Sequence, residues 1–110
     1  VTTDTLLVKL VNASNPSASA DFFLPNAFSP NGDGRNDMFF PFAVNIRELK
    51  YFRIFNRWGE LVFETKIFGD GWNGNYKGQK QAADSYFWTI EGVSEDGKTI
   101  NKYGNVLLMR

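Results

Sequence analysis

The sequence predicts an all-β fold, an antiparallel sandwich of about seven strands, and three observations predict it. No segment sustains a helical apolar period over about eleven residues. Short β-rich runs alternate with Gly, Asn and Asp turn signals at intervals of about 8–12 residues. The apolar material suffices for a core: 43% of the 110 residues are hydrophobic and 16% aromatic, with Phe 11, Tyr 4 and Trp 3. The length suits one domain.

Taken in order, residues 5–11 (TLLVKLV) read as a strand, and residues 12–20 (NASNPSASA) as a small-residue, Ser-rich linker. Residues 1–20 are therefore expected to be a strand and linker, the strand either part of this domain or a remnant of a preceding one; the linker composition favours a boundary near residue 20. Residues 24–39 (LPNAFSPNGDGRNDMF) follow as a rigid loop. Pro25 and Pro30 fix φ and hold Leu24 and Ser29 extended, Gly32 and Gly34 permit tight backbone, and Asn31, Asp33, Asn36 and Asp37 suit Asx turns. Residues 38–42 read as a short strand stopped by Pro41. Residues 43–48 remain ambiguous, with a helical turn as one alternative. Residues 49–56 (LKYFRIFN) and 60–65 (ELVFET) flank Arg57, Trp58 and Gly59 as a hairpin whose turn uses glycine. Residues 69–78 (GDGWNGNYKG) are turn-dense. Residues 85–93 (SYFWTIEGV) alternate as a strand, with Trp88 in the core. Asp96-Gly97 marks a hairpin, and residues 99–109 form the last strand, with Gly104 as a bulge or bend. The sandwich this order predicts is immunoglobulin-like.

Composition excludes several classes of function. The formal net charge is +0 with a pI near 6.4, so no basic face for nucleic acid is expected. No apolar run approaches the roughly 20 residues of a membrane-spanning helix, and residues 1–20 lack the pattern of a signal peptide. Histidine and cysteine are both absent, which removes the usual residues of zinc sites, thiol or Ser/His nucleophiles, and disulfides. The acids Glu60 and Glu64, or Glu95 and Asp96, lie on a hairpin arm or a turn rather than across a cleft, as a glycosidase would need. No catalysis and no cofactor are expected.

Two binding readings compete with purely structural ones. Asn31, Asp33, Asn36 and Asp37 supply the oxygen ligands a calcium ion requires, although Arg35 stands where a third acid would fall and no Glu closes the loop. Trp58 and Trp72 are the residue type on which sugars stack; the competing expectation is that each ring seals an end of the core. A calcium-dependent adhesive or glycan-binding surface module is thus the alternative function.

Three segments together resemble a known family: residues 25–39 (PNAFSPNGDGRNDMF), 54–65 (IFNRWGELVFET) and 71–78 (GWNGNYKG). They are similar to the gliding motility-associated C-terminal domain, the type B sorting domain of the type IX secretion system. The matching positions are Pro25, Asn26, Phe28, Pro30, Asn31, Gly32, Asp33, Gly34, Asn36 and Asp37; then Phe55, Asn56, Arg57, Trp58 and Gly59; then Gly71, Trp72 and Gly74. The ending GNVLLMR, after the Asp96-Gly97-Lys98 turn, is similar to the family's last strand and basic end.

The resemblance covers residues 22–110 and implies a sorting domain over residues 21–110. Such a domain is a non-catalytic secretion signal, carried behind a covalently attached cargo. It implies passage through the periplasm, recognition by outer-membrane translocon and shuttle proteins, and delivery to the cell surface or medium. The export signal is expected upstream of this chain. Asn105, Val106, Leu107, Leu108, Met109 and Arg110 are the candidate recognition residues, through backbone pairing at an exposed edge. Two departures stand out. Ala82, Ala83 and Asp84 replace a Pro- and Gly-containing stretch, where Asp84 is expected to tolerate left-handed backbone; Asn105 replaces Thr or Val.

Overall fold

The computed structural model describes residues 20–32 and 37–110. The expected strand at residues 5–11, nearly all of the linker, and Asp33, Gly34, Arg35 and Asn36 lie outside the described residues. Nine strands occur among the described residues: β1 (Asp21–Phe23), β2 (Ala27–Phe28), β3 (Phe42–Val44), β4 (Ile46–Phe55), β5 (Leu61–Thr65), β6 (Asn75–Tyr76), β7 (Gln79–Lys80), β8 (Asp84–Ser94) and β9 (Thr99–Leu108). Three of these, β2, β6 and β7, are only 2 residues long, which brings the count close to the expected seven.

The main sheet has the order β2-β9-β8-β4-β5. Its long strands pair antiparallel, and β2 alone joins in parallel, Leu107 opposite Ala27 and Leu108 opposite Phe28. The pair β1–β3 supplies Phe22 to the inner face of this sheet. Alternation decides which side chains meet there: Tyr86, Trp88 and Ile90 of β8 are buried, as are Val106 and Leu108 of β9 and Phe52 and Ile54 of β4. Phe28, Phe39 and Trp72 complete the aromatic half of the core. Each fully buried ring of this size contributes about 1.5–3 kcal/mol by leaving water.

Several expectations change. Pro41 precedes a strand rather than stopping one: residues 38–42 give only a bridge from Phe39 to Trp72, and β3 begins at Phe42. The helical alternative at residues 43–48 is replaced by β3 and β4, separated by Asn45 at φ 57°, a left-handed conformation that Asn accepts more readily than most residues. Gly104 is no bulge. It pairs in register with Trp88, and a Cβ there would lie 2.8 Å from the indole Cζ2, so the missing side chain makes room for the ring. The hairpin at Asp96-Gly97 forms as expected, with the Gly97 amide on the Ser94 carbonyl and the Ser94 amide on the Lys98 carbonyl.

Candidate recognition surface

The three signature segments do structural work, each in a different way. From the first loop, the carbonyls of Asn26 and Phe28 accept the amides of Leu107 and Met109, both at 2.9 Å. Phe28 stacks on Phe39 at 5.6 Å between centroids. The two described ends of the Asp-rich stretch are stapled by the Gly32 amide on Asp37 Oδ1 at 3.0 Å, and the Asn31 amide donates to the Ser29 carbonyl. Of the proposed calcium ligands, Asp33 and Asn36 lie outside the described residues.

The second segment folds on one side chain. Asn56 Oδ1 accepts the amides of Trp58 and Glu60 at 2.9 and 3.0 Å, and its Nδ2 donates to Glu60 Oε1. Gly59 takes φ 82° in this turn, so glycine is the residue that fits. Trp58 projects outward at 80% exposure, with the Arg57 guanidinium over its ring at 5.1 Å. Arg57 also reaches Asp84 Oδ2 at 2.9 Å. That hydrogen bond, with the Ser85 amide on the same carboxylate, holds the Asp84 carboxyl below its usual range. Asp84 is therefore a strand residue with a cationic partner, not a left-handed one: among the described non-glycine residues, positive φ occurs at Asn45 and Lys77.

The third segment is buried. Trp72 is 1% exposed, packs edge-on to Tyr86 at 4.9 Å, and donates Nε1 to the Asn75 carbonyl at 2.8 Å. Its backbone exchanges two hydrogen bonds with Phe39, and Gly71 permits that approach, since a Cβ would sit 2.9 Å from Phe40 Cβ. Gly74, at φ +86°, brings its carbonyl to Arg110 Nη2 at 2.8 Å, while Arg110 Nε bonds the Gln81 carbonyl. The basic end of the chain is thereby tied to the Trp72 turn. The Tyr86 hydroxyl donates to the Ala82 carbonyl at 2.7 Å, closing the corner before β8 as tyrosine corners do in immunoglobulin-like sandwiches.

The candidate strand 105–110 is thus divided. Val106 and Leu108 are in the core, and Leu107 (46%) and Met109 (44%) are exposed. The backbone edge at Leu107 and Met109 is occupied by β2. Asn105 lies beyond β2, next to a shallow groove lined by Phe55, Arg57, Asp84 and Phe87. Trp72, buried, offers no stacking face; Trp58 is exposed and does not seal the core. Sequence reasoning missed the Arg57–Asp84 pair, because 27 residues separate them and only the pairing of β8 with β4 brings them together.

A family model described as the CHU_C type IX secretion signal domain matches residues 22–108. Comparison with curated proteins gives no match.

Proposed function

The chain belongs to the type IX secretion signal domain family, and from that premise we propose that it is a non-catalytic address label. In this reading it directs a cargo, covalently joined ahead of it, through the periplasm to the outer-membrane translocon and on to the cell surface or medium. The observation that carries the reading is the match over residues 22–108, which contains all three signature segments. The way the described residues of those segments fold supports it: they brace the sandwich and its last strand. The carboxylates of Asp21, Glu64 and Asp84 face Lys102, Arg53 and Arg57, an arrangement suited to a stable surface.

The test is a fusion of the whole chain behind a fluorescent reporter that carries its own export signal, in a strain with a working type IX system. Delivery to the surface or medium is expected, together with periplasmic retention of the reporter alone. A fusion that stays in the periplasm overturns the reading.

A further inference from the structure

Strand β9 pairs along one side with β8 from Thr99 to Leu108 without a register shift. Its other side is only partly used. The amides of Leu107 and Met109 turn away from β8 to the carbonyls of Asn26 and Phe28. An antiparallel ladder alternates, so every second residue points the same way. The Ser94 amide on the Lys98 carbonyl sets the same phase from the opposite end. The N–H and C=O groups of Asn101, Tyr103 and Asn105 therefore point off the sheet, and no strand among the described residues pairs with them.

Sheets commonly blunt such an edge with proline, a bulge, or a charge pointing outward or inward. Residues 101–105 of β9 carry no proline, bulge or outward charge. The inward charge there, Lys102, is paired within the domain: it faces Asp21 and donates to the Phe22 carbonyl at 3.0 Å. Tyr103, beside the edge on the outer face, is 75% exposed. Its ring meets Phe87 at 6.2 Å, and Phe87 meets Phe55 at 6.2 Å, so an aromatic stripe runs inward from the open edge.

We propose that the β9 edge at Asn101, Tyr103 and Asn105 accepts an extended strand of the receiving outer-membrane component, which adds to the sheet in line with β2 and lays an apolar side chain on Tyr103. This rests on the sorting reading and specifies how the label is read. Three outward N–H groups alternating with three C=O groups at strand spacing are matched along their length by another extended backbone. β2 demonstrates that this edge takes a strand: it pairs at Leu107 and Leu108 and then ends. The exposed ring beside the edge sets the side-chain chemistry of the incoming strand, since cross-strand neighbours of an aromatic favour apolar partners.

The experiment uses the same reporter fusion of the whole chain with Tyr103→Pro and Tyr103→Thr. Proline removes the outward amide without touching the ladder to β8; threonine keeps that amide and removes the ring. Delivery is expected to fall about tenfold or more for Tyr103→Pro, as for loss of one hydrogen bond that strands its partner, with cooperative thermal unfolding preserved. Tyr103→Thr is expected to keep most of the delivery. Should Tyr103→Pro unfold, Asn101→Pro makes the same test at the next outward amide. Wild-type delivery by the folded proline variant overturns the proposal, and so does an equal loss in both variants, which would assign recognition to the ring. A dimer of the free chain that Tyr103→Pro abolishes while delivery is unchanged also overturns it, in favour of a second copy. An unmodified fusion retained in the periplasm fails the sorting reading itself, and this proposal with it.

Discussion

The turns around Trp58 and Trp72 look alike in sequence and end in opposite environments. Each sets a tryptophan close to a glycine with positive φ, Gly59 at 82° and Gly74 at 86°, and each is stabilised by an asparagine side chain that accepts backbone amides, Asn56 in one and Asn73 in the other. Yet Trp58 is 80% exposed and Trp72 1%. The first turn closes a hairpin on itself, so its ring has nothing to cover. The second is bridged through Phe39 to the opening loop and, through Gly74, to Arg110. A turn that other segments converge on buries its ring; a turn tied to the rest of the sheet through the Arg57–Asp84 pair leaves its ring for solvent or a partner.

Substitutions break this contrast where it is strongest. Trp72→Ala is expected to cost about 3–5 kcal/mol, because a large ring and its packing with Phe28 and Tyr86 are lost together; denaturant unfolding measures it. The paired glycines sharpen the comparison. Gly59→Ala should cost about 1–2 kcal/mol for left-handed backbone alone, since no atom lies within 4 Å of the added methyl. Gly74→Ala should cost more, because its methyl would meet Pro30 and Arg110 at 3.1 Å. Equal losses would show that the Trp72 turn yields to relieve the crowding.

Tyr86, which supports Trp72, gives an effect of intermediate size. Tyr86→Phe removes the bond to the Ala82 carbonyl and is expected to cost about 1–2 kcal/mol. Burial first, and the Asp84 carboxylate second, raise the Tyr86 pKa above its ordinary 10.0. The fold therefore favours the neutral phenol: that stability is fully present below pH 10.0 and lost as pH rises through the higher folded value. Thermal scans above pH 10 should show the decline, and Tyr86→Phe should flatten it. Trp58→Ala, at the other turn, is expected to change stability by less than about 0.5 kcal/mol. A larger loss would mean that the exposed ring braces Arg57 against Asp84. The smallest effect is expected at the Asp-rich loop. Calcium added to chelator-treated protein should give neither heat nor a Tm shift, Asp37 being already engaged by Gly32; saturable heat with a raised Tm would assign the loop to a metal.

Strands β4, β5, β8 and β9, the glycine turn at residues 57–59 and the Asp96-Gly97 hairpin were legible because their causes are local: alternation, and glycine where positive φ is required. The three signature segments were legible as a resemblance, and their order along the chain was enough to reach the family. Distance along the chain hid the rest. Whether Gly104 bends a strand or makes room for Trp88 depends on a partner across the sheet, and Asp84 takes its cation from a hairpin far upstream. The last strand was expected to offer its edge at residues 105–110, but β2 pairs at Leu107 and Leu108, and among the described residues no strand pairs with the outer edge of residues 101–105. Periodicity and turn chemistry by themselves determined an all-β chain with its turns in place. Burial of one tryptophan, exposure of the other and the position of the open edge were decided by tertiary structure, because each depends on which remote segment arrives to cover it.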